Sequence, residues 1–418
     1  MDAERTILRA GHLVDVVGER VLAAQAITVE GDRIVAVEPE DGSPSDRGAS
    51  RVIDLTGHTV VPGLMDMHAH MVGNVEGSET YAALVVRSPA QEALTGVRNA
   101  RDTVMAGFTT VRDVGTFRAF VDIALRDAIE AGWTPGPRMF CAGAYVTSST
   151  GGGDIPGLAV DVDERLPRDL RFGVANSPDE VRKVVREILH RGAAQIKVIA
   201  TGAVLTEGTN PGAPEFSEDE IRAAVEEAAL YGTYVAAHAH GPEGIKRAVR
   251  AGVGSIEHGS LMDDECIELM AEHGTYLVAD IYCGDWIEEE GTRAGWSPNS
   301  LRKNRETTDA QREGFEKCVK AGVKIAYGTD SGVYPHRFVG RQFAYMVRHG
   351  MTPMQAIRSA TVVGAELMEW DEVGGLAPGR YADLVAVKGD PLDDIALLED
   401  VPFVLKGGEV VKDLRSTP

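Results

Sequence analysis

The chain has 418 residues, of which 44% are hydrophobic and 25% charged, and its formal net charge at pH 7 is −22. This composition is typical of a globular protein, and the length predicts one large domain with a smaller second one. Because an acidic surface repels phosphate backbones and anionic lipids, we exclude nucleic acid and membrane surfaces as expected partners.

The beginning of the chain and its cysteines indicate the compartment. The first residues, MDAERTILRAGHLVD, do not combine a basic segment with a following apolar one, so we expect no export signal. The four cysteines are far apart and form no CxxC pair, which is typical of reduced thiols in the cytosol. We therefore expect a cytoplasmic protein.

Both ends of the chain consist of short β-rich segments with turn glycines. These segments are Ile7–Pro39 near the start and Tyr381–Leu414 in the tail, where KGGE is a plausible hairpin turn. Neither end has enough apolar residues to fold alone. The sequence therefore predicts one small β-sandwich domain built from residues 1–62 and 370–418.

Residues 63–369 repeat a unit of helix, glycine and short apolar run. The runs lack the alternation of a half-exposed strand, which indicates parallel strands covered on both faces. Helices are predicted at 178–191 and 217–231. Eight such runs are predicted to be strands, and they predict an α/β fold of the (β/α)8 TIM barrel type. Two of them are the run before His68 and PRMFCAGAYV. The other six runs are AGFTTVRDVG, RGAAQIKVIATG, YGTYVAAHAHG, AGVGSIEHG, HGTYLVADIY and AGVKIAYGTD.

Metal-ligating residue types lie in or at the ends of these strands. Because barrel enzymes build their sites at the carboxyl ends of strands, we expect the side chains to meet at one mouth. Side chains two residues apart in a strand point to the same side, so each HxH pair can converge on one ion. Taken alone, a structural histidine pair and a buried lysine ion pair are the alternatives. The residues are His68 and His70 (first strand), Lys197 (fourth), His238 and His240 (fifth), His258 (sixth) and Asp330 (eighth).

The motifs VVPGLMDMHAHM, AQIKVIATGAV, TYVAAHAHG, SIEHG and YGTDSG resemble, in order and spacing, those of the amidohydrolase superfamily. The resemblance is to the branch of Xaa-Pro and Xaa-Arg/Lys carboxypeptidases, ochratoxinase and imidazolonepropionase-like enzymes, and it extends to the tail GLAPGRYADLVAVKGDPL. It implies two divalent metal ions, usually zinc. In this family pattern His68, His70 and Asp330 bind one ion, His238 and His258 bind the other, and a carboxylated Lys197 bridges them.

The chemistry of these side chains agrees with that implied ligand set. Neutral imidazole and carboxylate suit zinc, and two cations about 3.5–4 Å apart need anionic bridging ligands. A carbamate on Lys197 supplies such a bridge, whereas an ammonium would repel the metals. Manganese, cobalt and iron accept the same ligands, so the identity of the metal stays open.

The expected reaction is hydrolysis of an amide-type C–N bond. A hydroxide that bridges two metals is a nucleophile near neutral pH. Asp330 can hold its proton and pass it to the leaving nitrogen as a general acid. The sequence has no GxSxG motif that would indicate a serine nucleophile instead.

Four residues are candidates for substrate contacts. By the resemblance, His240 polarises the scissile carbonyl or binds an anionic group, with a structural histidine as the alternative. Tyr145 lies near the end of the third strand, Ser149 follows that strand, and His336 follows Asp330 closely. Core packing is the alternative for Tyr145, and a hydrogen bond within the loop is the alternative for His336.

Two segments bear on the substrate. Related carboxypeptidases commonly carry TGGH after the third strand, with the histidine facing the substrate, whereas this chain reads STGGGDIPG and has Gly153 there. The segment 284–306 mixes tryptophan with charge and is either a lid over the site or a solvated loop.

The sequence leaves two substrate classes open. The first is a dipeptide or N-acyl amino acid with a free carboxylate, cleaved as by a carboxypeptidase or dipeptidase. The second is a neutral amide, carbamate, urea or lactam, including mycotoxin- or xenobiotic-type amides, which Gly153 favours. A non-catalytic binding module would require lost ligands, and none is missing. The expected partner is thus a small molecule or dipeptide, and the sequence is compatible with a homo-oligomer.

Overall fold

The computed structural model describes residues 5–40, 49–73, 86–155 and 157–415. The chain divides into two compact units. The terminal unit comprises Met1–Asp66, Arg101–Val111 and Arg337–Pro418, and the central unit comprises Met67–Ala100 and Arg112–His336. The division into domains at residues 62 and 370 stays a prediction.

The described elements follow one another along the chain with short connections. The strands are β1 (Arg5–Asp15), β2 (Arg20–Glu30), β3 (Arg33–Pro39), β4 (Arg51–Pro62), β5 (Leu64–Ala69), β6 (Phe108–Asp113), β7 (Arg138–Cys141), β8 (Tyr145–Val146), β9 (Ile196–Ile199), β10 (Val235–Ala239), β11 (Ser255–His258), β12 (Tyr276–Val278), β13 (Leu384–Val387), β14 (Phe403–Lys406) and β15 (Glu409–Asp413).

The described α-helices are α1 (Pro89–Met105), α2 (Val121–Glu130), α3 (Val160–Asp163), α4 (Pro178–His190), α5 (Glu218–Ala229), α6 (Pro242–Ala251), α7 (Asp264–His273), α8 (Cys283–Ala294), α9 (Pro298–Ala321), α10 (Gln342–Arg348), α11 (Pro353–Ser359) and α12 (Val362–Leu367). Among the residues described, no helix has both the length and the hydropathy to cross a bilayer.

The terminal unit contains a seven-stranded sheet in the order β15-β14-β13-β4-β1-β2-β3. Strand β4 joins the two ends of the chain, because it pairs in parallel with β1 and antiparallel with β13. Leu8, Ile27, Leu55, Leu384 and Phe403 from both ends belong to one buried cluster. The β-rich ends therefore share a core, as predicted, while the sandwich arrangement of that sheet stays a prediction.

The central unit contains the five-stranded parallel sheet β12-β11-β10-β9-β8, and β5, β6 and β7 form a three-stranded sheet. The register of the five-stranded sheet places the predicted ligands. Lys197 pairs with Ala236, and His258 pairs with Ala239. Since Ala236 and His238 are two residues apart, Lys197 and His238 share a face of the sheet.

The predicted eighth strand is not a regular strand. Residues 324–331 form only isolated bridges, Ile325 with Leu277 and Ser331 with Ala69. The segment still hydrogen-bonds on one side to β12 and on the other to β5, where the Met67 N–H donates to the Tyr327 carbonyl at 2.7 Å. A left-handed φ of 57° at Asp330 interrupts the extended backbone. The closed eight-stranded barrel stays a prediction.

The predicted helices are observed close to their expected bounds. Helix α4 begins after Ser177, whose side chain accepts a hydrogen bond from the Glu180 N–H, and α5 begins with a capping box of Ser217 and Glu220. The segment 284–306 is not a loop. It forms α8 and the first turns of α9, separated by a short link that ends in the N-cap Ser297.

We predict that Phe403→Ala lowers the free energy of unfolding by about 3–5 kcal/mol, because it leaves a cavity in the core of the seven-stranded sheet. Phe403 is fully buried there. Urea denaturation measures the change, and Val17→Ala, at a side chain that is 65% exposed, is the control. A Phe403→Ala midpoint equal to that of the wild type would contradict this placement.

Candidate active site

A cavity of about 190 Å³ lies in the central unit. Its inner wall consists of side chains at or near the carboxyl ends of the strands, which is where the sequence predicted a site. All of the predicted metal ligands reach it. His240 and Asp280 reach it as well. The lining residues of this inner wall are His68, His70, Lys197, His238, His240, His258, Asp280 and Asp330.

Metal-binding atoms cluster in three overlapping groups within this wall. The groups are His68 with His70 and Asp330, His238 with His240 and His258, and His258 with Asp280 and Asp330. Within each group the donor atoms lie within 4.8 Å of one another. Imidazole nitrogen and carboxylate oxygen are the donors that zinc and related divalent ions prefer. The residues present therefore fit divalent cations.

Hydrogen bonds fix which ring nitrogen each histidine presents. The Nδ1 atom of His68 is 2.7 Å from Glu257 Oε2, that of His258 is 2.8 Å from Asp280 Oδ1, and that of His70 is 2.7 Å from the Gly115 carbonyl. Because these partners accept, Nδ1 carries the proton in the neutral rings and Nε2 is left for a metal.

His238 differs from these three histidines in the ring nitrogen that its hydrogen bond occupies. Its Nε2 lies 3.3 Å from the Gly202 carbonyl, so Nδ1 is the nitrogen that can bind a metal. Burial, with the neighbouring His240 and His258, holds the pKa of His238 well below its ordinary value. The ring is therefore neutral, as a ligand must be.

Glu257 and Arg112 form a buried ion pair beneath the site. Arg112 Nη2 lies 2.6 Å from Glu257 Oε1, and both side chains are fully buried. Burial would raise the pKa of Glu257, but the Arg112 guanidinium and the hydrogen bond from His68 outweigh it and lower that pKa. Glu257 is therefore a carboxylate that accepts from His68 and fixes that ring.

Lys197 is buried in β9 and lines the cavity. Burial lowers the pKa of its ammonium to about 8. A lowered pKa increases the fraction of neutral amine near neutral pH, and the neutral amine is the form that adds carbon dioxide to give a carbamate. The environment of Lys197 thus favours the modification that the family resemblance implies.

Two of the predicted ligands adopt a left-handed backbone. His258 has a φ of 67° and Asp330 a φ of 57°. Residues other than glycine rarely adopt this conformation, and such strain is concentrated at functional sites. Asp330 Oδ1 lies 3.2 Å from His70 Nε2 and 3.5 Å from His68 Nε2, so the strained turn places the carboxylate beside both imidazoles.

Among the predicted substrate contacts, His240 and Tyr145 lie in the cavity. The Tyr145 hydroxyl is 3.2 Å from His70 Nδ1. His240 Nδ1 is 2.8 Å from the Ser260 hydroxyl. His240 also belongs to a donor group with two other histidines, so its imidazole reaches the position of a ligand as well as that of a substrate contact.

Ser149 and His336 do not line the cavity. Ser149 is exposed, and it faces Asn176, whose side-chain amide donates to the Ser149 hydroxyl at 3.0 Å. His336 is buried behind His70, with its Nε2 3.2 Å from the His70 carbonyl, which is the loop hydrogen bond weighed as the alternative. The structure does not bring these two side chains to the cavity, because both are directed to other partners, and a substrate role for them stays a prediction.

Gly153 lines the cavity at the position where related carboxypeptidases carry histidine. A Cβ there would lie 2.8 Å from Cγ1 of Ile199 and 3.1 Å from Cβ of Tyr145. A side chain at this position would therefore require Ile199 to shift.

Sequence reasoning missed Asp280, Glu257 and Ser260. Asp280 follows the seventh strand, within HGTYLVADIY, so the rule that identified the other ligands could have found it. Its Oδ1 also accepts from Gln311 Nε2 at 2.8 Å. Glu257 and Ser260 flank His258 in SIEHGS, but strict strand alternation would place Glu257 on the opposite face from His258.

The parallel strands and the histidine and aspartate donors fit a metal-dependent enzyme. Residues 59–412 match the profile of the Amidohydrolase family. The chain belongs to this family and is a hydrolase of C–N bonds, which confirms the resemblance identified in the sequence.

Three relatives illustrate the range of that family. Ochratoxinase of Aspergillus niger is 33% identical over 98% of this chain and 87% of its own length. A solved Xaa-Pro dipeptidase with bound methionine in its active site is 39% identical, with a TM-score of 0.91 over 97% of this chain and 99% of that one. Imidazolonepropionase of Streptomyces coelicolor is 27% identical over 91% of this chain and 89% of its own.

We predict that Glu257→Gln weakens metal binding by about 10- to 100-fold, as loss of the carboxylate partner of a ligating histidine commonly does. The amide keeps an acceptor for His68 but leaves the Arg112 charge without its partner. Competition with a chelator measures the affinity. Glu268→Gln, an exposed position on α7, is the matched control, and equal affinity in the two variants would contradict the role of Glu257.

Proposed function

We propose that the protein is a binuclear metal-dependent hydrolase that cleaves the amide bond of a dipeptide or an N-acyl amino acid. The observation that carries this proposal is the convergence of two sets of donors and one buried lysine on a single cavity. The relatives support the substrate class, because one is a dipeptidase with an amino acid in its active site.

The assignment of ligands follows the donor atoms. His68, His70 and Asp330 would hold one ion, His238 and His258 the other, and Lys197, carboxylated on Nζ, would bridge them. Two divalent ions held in this way polarise a carbonyl and supply an activated water near neutral pH. Among divalent metals, zinc is the one that this donor set favours most.

Asp330 and His240 are the proposed catalytic side chains. Although burial opposes ionisation, the neighbouring imidazoles of His68 and His70 hold the pKa of Asp330 well below its ordinary value. Its carboxylate is therefore ready to accept the proton of the attacking water and to deliver it to the leaving nitrogen. With the Ser260 hydroxyl donating to Nδ1, His240 keeps its proton on Nε2 and donates to the carbonyl oxygen of the substrate.

The proposal includes a closed (β/α)8 barrel and a β-sandwich for the chain ends. The hydrogen bonds of residues 324–331 to both β12 and β5 support closure, since they join the five-stranded and three-stranded sheets edge to edge.

A neutral amide, carbamate, urea or lactam is the second candidate substrate. Among the described residues that line the cavity there is no arginine, and Lys197 is the one lysine. Residues 74–85, outside the described part, contain neither lysine nor arginine in the sequence. A free carboxylate would thus depend on the metals for its counter-charge, whereas a neutral substrate needs none.

We predict that Lys197→Ala lowers turnover at least about 100-fold and reduces the metal content of the purified protein, because the bridging ligand is lost. Metal is measured by atomic emission alongside activity. Lys320→Ala, at an exposed position of α9, is the matched control. Unchanged metal content and turnover in Lys197→Ala would exclude the bridging role.

A substrate panel on metal-loaded protein tests the proposed reaction. We expect dipeptides and N-acyl amino acids to be hydrolysed at least about tenfold faster than the same compounds with an amidated carboxyl group, a difference of about 1.4 kcal/mol in transition-state stabilisation. Faster turnover of the amidated compounds would identify the second candidate class. No turnover of either series would overturn both.

A further inference from the structure

The outer wall of the cavity includes a loop that follows β9. We call residues 203–209 the cap loop; its members Ala203, Val204, Leu205 and Thr206 line the cavity. The loop is held from behind by Lys303 of α9. Lys303 Nζ donates to the carbonyls of Ala203 at 2.8 Å and Thr206 at 2.7 Å, and it lies 3.4 Å from that of Thr209.

The other side-chain contacts that reach the cap loop from outside each hold a single residue of it. The Thr206 hydroxyl donates to the Gly152 carbonyl at 2.7 Å, and the Asn299 amide donates to Glu207 at 2.9 Å. The Thr209 hydroxyl stays within the loop, where it bonds Ala203 and Thr206. Lys303 alone joins three carbonyls of the loop at once, so it is the group on which the shape of the loop most depends.

Lysine is an unusual residue at a buried position such as that of Lys303. Its side chain is only 1% exposed, and its described partners are backbone carbonyls rather than a carboxylate. A buried cation without a carboxylate costs stability unless its hydrogen bonds are satisfied. The charged groups that face it are Glu207, Glu215 and Arg302, and burial lowers the pKa of Lys303 to about 8.

The cap loop contributes apolar surface to the cavity. Val204 and Leu205 are half-buried, and Ile287 and Trp296 line the same cavity from α8 and the residues that follow it. Helix α9 adds polar residues, and three of them already donate within the protein. The Asn304 amide donates to the Gly284 carbonyl at 2.9 Å, the Thr307 hydroxyl to that of Lys303 at 2.9 Å, and the Thr308 hydroxyl to that of Asn304 at 2.7 Å.

We propose that Lys303 is a positioning residue that holds Val204 and Leu205 in place, with Ile287 and Trp296, as a subsite for an uncharged, apolar substituent of the substrate. The subsite belongs to the same cavity as the metal-binding side chains, so a substrate whose amide reaches Asp330 extends its substituent along this wall. The inference rests on the proposed function for the identity of the ligand as a substrate.

Two hydroxamates provide probes that bind at a metal centre without being hydrolysed: acetohydroxamate and 3-phenylpropionohydroxamate. Calorimetry on the zinc-loaded protein gives the ratio of their dissociation constants. We expect the phenyl compound to bind at least about tenfold tighter to the wild type, as burial of an aromatic ring in an apolar subsite predicts. Equal affinity would overturn the subsite.

Substitution of Lys303 tests its positioning role. In Lys303→Met we expect the preference for the phenyl compound to fall to about threefold or less, with metal content unchanged, because the loop loses its donor while the metal-binding side chains are untouched. Lys303→Arg should keep most of the preference, and Lys320→Met, exposed on the same helix, should keep all of it. A full preference in Lys303→Met would overturn the proposal.

The wild type provides a second measurement if Lys303→Met does not fold. Because the pKa of Lys303 is lowered to about 8, the ammonium is present below that pH and is lost as pH rises through it. The preference for the phenyl compound should therefore decline between about pH 7 and 9, while ionisation of the hydroxamate group cancels in the ratio. A constant ratio over this range would overturn the proposal.

Failure of the proposed function has a separate signature. If the hydroxamate preference holds but no amide in the substrate panel is cleaved, the subsite stands and the proposed reaction is wrong. If amides are cleaved but the preference is absent or independent of Lys303, the reaction stands and the subsite is wrong.

Discussion

The site depends on one buried carboxylate that is satisfied on every side. Glu257 accepts from Arg112, from the Ser255 hydroxyl and from His68. Arg112 also donates to Ser255 and to the carbonyl of Met67, immediately before His68. Removal of a charged pair from water is expensive, so this network is stable only while all of its members are present. The same contacts that stabilise it join β5, β6 and β11 and fix the ring of His68.

Backbone strain supplies a second constraint, because it lets neighbouring residues serve the same site. In a regular strand Glu257 and His258 would point to opposite faces. The left-handed φ of 67° at His258 breaks that alternation, and both side chains reach the interior of the central unit. His258 then donates to Asp280, so the strained residue is oriented by a partner on the next strand connection. The strained backbone conformation therefore occurs at the position where two adjacent side chains must both point to the interior of the central unit.

The sequence brought the candidate ligands together because it assigned each to a predicted strand or its end, a position that local pattern reveals. Asp330 instead follows a segment that forms only isolated bridges. Asp280 satisfies the same rule, since it lies at the end of the seventh predicted strand. Local pattern does not give the directions of Ser149 and His336, whose side chains contact Asn176 and the carbonyl of His70. For the segment 284–306 the expected solvated loop was wrong, because its glycines and charged residues conceal the helical periodicity of α8 and α9. A lid role for this segment stays a prediction.

The two walls of the cavity also differ in how the sequence specifies them, which explains why the reaction is easier to predict than the substrate. The inner wall is built from short motifs whose residues are close in the chain and share one strand register. The outer wall requires Lys303 to reach the cap loop from 100 residues away. A single substitution on α9 can therefore reshape the specificity wall while every metal-binding residue stays in place. Members of such a family can diverge in substrate through these distant contacts while they keep the same donors, since chemistry and recognition depend on separate parts of one cavity.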